Sequence, residues 1–160
     1  MKLRRRRLSL FLVLLLAPMG LQAQLAGQGI MFGNWKLVVA KSDFGSGPKL
    51  MAMTIKVASD TAALIQFSVD QTMESGMTVS YSFKGAADGK AYPLTGSSSV
   101  YSYSEDPGTV HETQKDTDGT LTKGDFTVNA SGKVGTWLYI VTNPDGTVVK
   151  QKLVFARIAN

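Results

Sequence analysis

The 160-residue chain contains no cysteine. That absence removes disulfide staples, thiol nucleophiles and cysteine-ligated zinc together. Histidine is almost missing too: His111 stands alone. A lone imidazole builds no ordinary zinc site unless several carboxylates converge on it. No Gly-x-Ser-x-Gly elbow supports a Ser-His-Asp triad, and no phosphate loop accompanies Asp43-Phe44-Gly45, so that triplet is not a kinase signal. Asp116-Thr117-Asp118-Gly119 lacks the further ligand and the closing glutamate of a calcium loop, and it reads as a turn. Glu112 and Asp125 fall on adjacent predicted strands, but so do many solvated carboxylate pairs, and nothing in the sequence marks them as acid and base. The expectation is a protein that is not an enzyme, with no metal site and no cofactor.

Positive charge is scarce beyond the N-terminus. Of the 17 Lys and Arg residues, five (Lys2 and Arg4 to Arg7) precede Leu8, which leaves 12 against 12 Asp and Glu. A balanced chain offers no clustered positive surface, so nucleic acid is not an expected partner. The basic cluster, the apolar run from Leu8 to Ala17 and the site Leu21-Gln22-Ala23 together read as a secretory signal peptide over 1–23. The apolar run is short for a membrane span, so none is expected after cleavage. The residues after the arginines fit a twin-arginine signal poorly, which favours the general secretory route. No cysteine stands near the cleavage site to carry a lipid anchor. The expected location is therefore outside the cytoplasm, periplasmic or secreted, and stability without disulfides suits a bacterial envelope. Residues 24–32 are small and glycine-rich and read as a flexible lead-in, which leaves 33–160 as one domain.

Long helical stripes are also missing. Outside the leader no segment sustains a 3.6-residue apolar period, whereas period-two alternation recurs throughout. Trp35, Leu37 and Val39 share one face. So do Met51, Met53, Ile55 and Val57; Ala63, Ile65, Phe67 and Val69; and Met77, Val79, Tyr81 and Phe83. Tyr101 with Tyr103, Phe126 with Val128, and Trp137 with Tyr139 continue the pattern, and Val148 to Ile158 supplies a last strand. Asp88-Gly89, Asp118-Gly119, Ser131-Gly132 and Asn143-Pro144-Asp145-Gly146 are turn signals between them. Tyr92-Pro93 is proline-broken and suits an edge or a bend. The rhythm predicts an all-β chain: a single antiparallel up-and-down β-barrel of roughly eight to ten strands.

The inward candidates Met51, Met53, Ile55, Ile65, Phe67, Val79, Tyr81 and Phe83 are the expected barrel-interior, ligand-binding set. The same alternation serves a cavity or a core filled by side chains, and both readings stay open.

Gly33-Asn34-Trp35-Lys36-Leu37, Ser42-Asp43-Phe44 with Gly47-Pro48, the run Gly89 to Gly96 through Tyr92-Pro93, and the tail ending in Arg157 carry a resemblance. With these motifs the chain resembles the small exported bacterial lipocalin-like, or calycin-type, β-barrel proteins. The resemblance implies a lipocalin-like barrel closed at one end by Gly33, Trp35 and Arg157, with the arginine of the last strand over the tryptophan. Arg157 is the only arginine beyond the first seven residues. The resemblance also implies binding or carriage of a small apolar or amphipathic molecule. The alternative is a non-enzymatic envelope module that works through protein contacts around a filled barrel. A second lipocalin motif of the Thr-Asp-Tyr type is absent from the chain.

Overall fold

Apolar and polar residues alternate between glycine-bearing turns, and residues 27–159, those described by the computed structural model, form strands accordingly. The expected leader, 1–23, lies outside the described residues. The strands are β1 (Gly33–Leu37), β2 (Leu50–Thr61), β3 (Leu64–Met73), β4 (Thr78–Gly85), β5 (Ala91–Pro93), β6 (Val100–Asp106), β7 (Thr109–Lys115), β8 (Leu121–Val128), β9 (Val134–Thr142) and β10 (Val148–Ile158). Gly119 (φ 95°) and Gly146 (φ 83°) supply the positive φ that the turns between β7 and β8 and between β9 and β10 use.

Every strand pairs antiparallel with its chain neighbour, except where β4 passes to β5, and β1 also pairs with β10. The order is β4-β3-β2-β1-β10-β9-β8-β7-β6-β5. The two open edges meet at one bridge just past β5, where Ser82 of β4 and Thr95 exchange two backbone hydrogen bonds of 2.9 Å each. The result is one nearly closed up-and-down barrel of ten antiparallel strands. β5 is the short edge strand that Pro93 dictates, because proline gives no N–H to a ladder. Outside the strands, a 3-10 turn spans Val39–Lys41. Among the described residues no helix is long and apolar enough to cross a membrane.

The barrel has two unlike ends, and Trp35 fills the closed one. Its side chain is fully buried, and its Nε1–H donates to the Met31 carbonyl at 2.7 Å. The Arg157 guanidinium lies over the ring, 4.2 Å from its centroid. Arg157 also donates from Nε to the Gly132 carbonyl at 2.8 Å, from Nη2 to Ile30 at 2.9 Å, and from Nη1 to Phe32. A planar fork of donors suits three converging carbonyls as lysine would not. Gly33 sits at φ 106°, where a side chain would strain the backbone just as the chain enters the barrel.

The flexible lead-in expected over 24–32 is corrected for its described part. Met31 is buried, and its N–H donates to the Asp60 Oδ2 at 2.8 Å. Gln28 accepts from the Asp60 N–H at 2.8 Å. Residues 28–32 thus plug the barrel. Asp60 is available to hold them because β2 carries two bulges. The register against β3 slips between Val57 and Ser59, which turns Asp60 inward. It slips also between Leu50 and Ala52, which turns Leu50 inward and Met51 out.

From Trp35 an aromatic column climbs the interior. Phe126 meets Trp35 edge-on at 5.3 Å, Trp137 meets Phe126 at 5.1 Å, and Tyr139 stacks on Trp137 at 5.1 Å. Such pairs contribute about 0.5–1.5 kcal/mol each beyond burial. Gly135 of β9 makes room for the column, since a Cβ there would run into the Phe126 ring. The column ends at the opposite, open end of the barrel.

Candidate functional site

The open end contains a cavity of about 210 Å³. The inward positions of nearly all the strands wall it: Leu50 and Met53 of β2, Phe67 and Val69 of β3, Tyr81 of β4, Tyr101 of β6, Trp137 and Tyr139 of β9, and Leu153 of β10. Gln71, Gln114, Thr122 and Gln151 add amide and hydroxyl groups. The connection between β1 and β2 borders one side through Pro48. It is pinned to β10: Asp43 bridges Lys152, and Gln151 Nε2 donates to the Phe44 carbonyl at 3.2 Å.

One carboxyl points into this apolar space. Glu112 shares the inward face of β7 with Val110 and is 7% exposed. Burial pushes its pKa up to about 7, hydrogen bonding from Tyr101 and Tyr139 draws it down, and the nearby Asp125 charge pushes it up. Tyr101 donates its hydroxyl to Glu112 Oε2. Burial, and then the Glu112 charge, hold the phenols of Tyr81, Tyr101 and Tyr139 well above the ordinary tyrosine range, so all three stay protonated.

Gly124 explains how so many polar groups converge. It pairs with Glu112 on β7 and with Tyr139 on β9. A Cβ at Gly124 would stand 2.7 Å from Glu112 Oε1, 2.7 Å from Trp137 Nε1 and 2.7 Å from Tyr139 Cε1. Any larger residue would force the carboxyl and the indole aside. Trp137 Nε1 is buried and has no hydrogen-bond partner among the described residues. An unsatisfied buried donor costs about 1–3 kcal/mol, a cost this packing carries.

The eight residues expected to line the interior divide into four groups. Met53, Phe67 and Tyr81 wall the cavity. Ile55, Ile65 and Phe83 are buried in the filled part of the core and are not among its walls. Val79 is half-buried on β4 and also lies off the cavity. Met51 is a correction: it is 58% exposed on the outside of the barrel, because the bulge at the start of β2 shifts the alternation by one residue. Of the closure set, Trp35 and Arg157 stack at the far end as described above, with Gly33 beside them.

Tyr101, Glu112, Trp137 and Tyr139 were outside the expected binding set. The signal for Glu112 was present in Val110, Glu112 and Gln114, which alternate with His111 and Thr113 and so put the carboxyl on valine's face. His111 sits outside the barrel, with Nδ1 2.7 Å from Asp125 Oδ1 and Nε2 3.1 Å from Asp106 Oδ2. Glu112 and Asp125 therefore face opposite sides of the sheet, and no acid–base pair forms from them. Asp116 to Gly119 form the turn between β7 and β8, closed by Gly119 N–H on the Asp116 carbonyl at 3.1 Å.

No family model matches the chain, and no curated protein matches it. Among solved structures it is similar to "Structure of EF1p2_mFAP2b bound to DFHBI", with a TM-score of 0.47 and 11% identity. That likeness covers 81% of this chain and 94% of the other. At this level it carries no argument about function. The strand order defines the class of the protein, a ten-stranded up-and-down barrel with a cavity at one end.

Proposed function

We propose that the chain is an exported binding protein that holds one small amphipathic molecule at the open end of its barrel. The observation that carries this reading is the cavity itself: apolar and aromatic walls with a few polar groups converging on one spot. A cavity of roughly 150 Å³ accepts benzene, so about 210 Å³ suits a single substituted ring or a short chain. The closed end supports the reading, since the lead-in plug and Arg157 leave entry to the other side. Export, to a periplasm or beyond the cell, rests on the basic and apolar N-terminal segment. In this reading the barrel works by binding, without a chemical step of its own.

Native mass spectrometry of protein purified without denaturation tests it. The expected result is a population carrying one extra small mass, lost on solvent extraction and regained when the extract is returned. A bare chain mass, with no mass regained from any cell extract, would favour the protein-contact module instead.

A further inference from the structure

We propose that the cavity selects a small amphipathic amine, its ammonium set against Glu112, and that it turns carboxylates away. This rests on the binding reading above and deepens it.

No lysine or arginine is among the residues walling the cavity, and Glu112 is the only acid among them. A carboxylate ligand would bring a second negative charge into low dielectric with no cation to meet it, which is strongly unfavourable. An ammonium neutralises Glu112 instead. The rings of Tyr81, Tyr101, Trp137 and Tyr139 line the same space, and aromatic faces attract cations.

Packing fixes where the carboxyl stands. The space a side chain at Gly124 would take is filled by Glu112 Oε1 and Trp137 Nε1, each 2.7 Å from where a Cβ would stand. The indole N–H is buried out of reach of the cavity, so the Glu112 carboxyl is the charged contact offered to a ligand.

The groups facing Glu112 leave this sign unchanged. They are Tyr81 from β4, Tyr101 from β6, Tyr139 and Trp137 from β9, with Gln114 on its own strand. Asp125 on β8 and Asp116 beyond β7 add negative field and no positive one. An ammonium needs Glu112 ionised, and burial raises the pKa of that carboxyl to about 7. Amine affinity should therefore fall as pH drops through neutrality.

Isothermal titration of the full barrel with 2-phenylethylamine, 2-phenylethanol and phenylacetate tests the sign. At about pH 8 the amine should bind roughly tenfold or more tighter than the alcohol, and phenylacetate should not bind measurably. From about pH 8 to about pH 6 the amine should lose roughly tenfold, following the ionised fraction of Glu112, while the alcohol changes little. Glu112→Gln should erase the amine's advantage and keep alcohol binding. The wild-type pH series stands independently if that variant folds poorly. Equal binding of amine and alcohol at about pH 8, or binding of phenylacetate, would overturn the charge selection and leave the binding reading standing. No binding by any probe at millimolar concentration would overturn both this inference and the binding reading.

Discussion

Trp35→Ala will destabilise the barrel by about 3–5 kcal/mol, the range for removing a large buried aromatic. That is a large share of the roughly 5–15 kcal/mol that holds a domain of this size folded. The loss has several sources. The ring is fully buried and makes an edge contact with Phe126. Its Nε1–H ties Met31 of the plug at 2.7 Å, and its face carries the Arg157 guanidinium. Without the indole, Arg157 keeps its carbonyl acceptors but loses a cation–π contact of about 0.5–2 kcal/mol. Arg157→Lys should recover little of what Arg157→Ala loses, because a single ammonium does not reproduce the fork onto Gly132, Ile30 and Phe32. Urea unfolding followed by circular dichroism reads all three variants. A Trp35→Ala loss below about 1 kcal/mol would mean that the closed end is not the anchor of the fold.

The second large effect is a dependence on pH. Glu112 titrates near 4.5 as an ordinary glutamate and at about 7 in the folded barrel. Between those values the folded state holds a proton that the unfolded chain has released. Stability without ligand is therefore highest at or below the lower value and falls as pH rises through the window, by about 3 kcal/mol in all. The carboxyl of Glu105, raised by burial and then by the Asp60 charge, acts in the same direction at the other end of the barrel. The clean quantity is accordingly the difference between wild type and Glu112→Gln. From about pH 4 to about pH 8, wild type should lose about 3 kcal/mol more than the variant in denaturant titrations. Parallel curves for the two proteins would place Glu112 in contact with water rather than among the tyrosines. The same effect links stability to binding, since a ligand that neutralises Glu112 at high pH restores what ionisation removes.

Much of the fold was legible because alternation is a local property. The faces of Phe67 and Val69, of Tyr101 and Tyr103, and of Trp137 and Tyr139 follow from period two alone, as does the short edge strand at Pro93. The stacking of Arg157 on Trp35 was also foreseeable, since one arginine remains beyond the N-terminus to play that part. Bulges were not legible. Nothing in Met51-Ala52-Met53 announces that β2 slips there, so Met51 takes the outward place and Leu50 the inward one. The second slip brings Asp60 into the core and makes a plug of residues that read as a loose lead-in.

The site was harder to read because it is assembled across the barrel. Glu112, Gly124, Trp137 and Tyr139 come from three strands, and only the register sets the missing Cβ of Gly124 against the other three. A carboxylate on a strand reads by default as solvated. Its alternation with Val110 was the signal that outweighs that default.

The two tryptophans offer the most direct test of the central claim, that the open end of the barrel is a ligand site. Both indole N–H groups are visible in a nitrogen-15 correlation spectrum, and the structure gives them opposite circumstances. Trp35 is sealed on Met31 at the closed end, whereas Trp137 is one of the walls of the cavity. On titration with 2-phenylethylamine at about pH 8, the Trp137 indole resonance should move progressively to saturation while that of Trp35 stays in place. Saturable binding that leaves Trp137 unmoved, or moves only resonances of the outer face, would contradict the account.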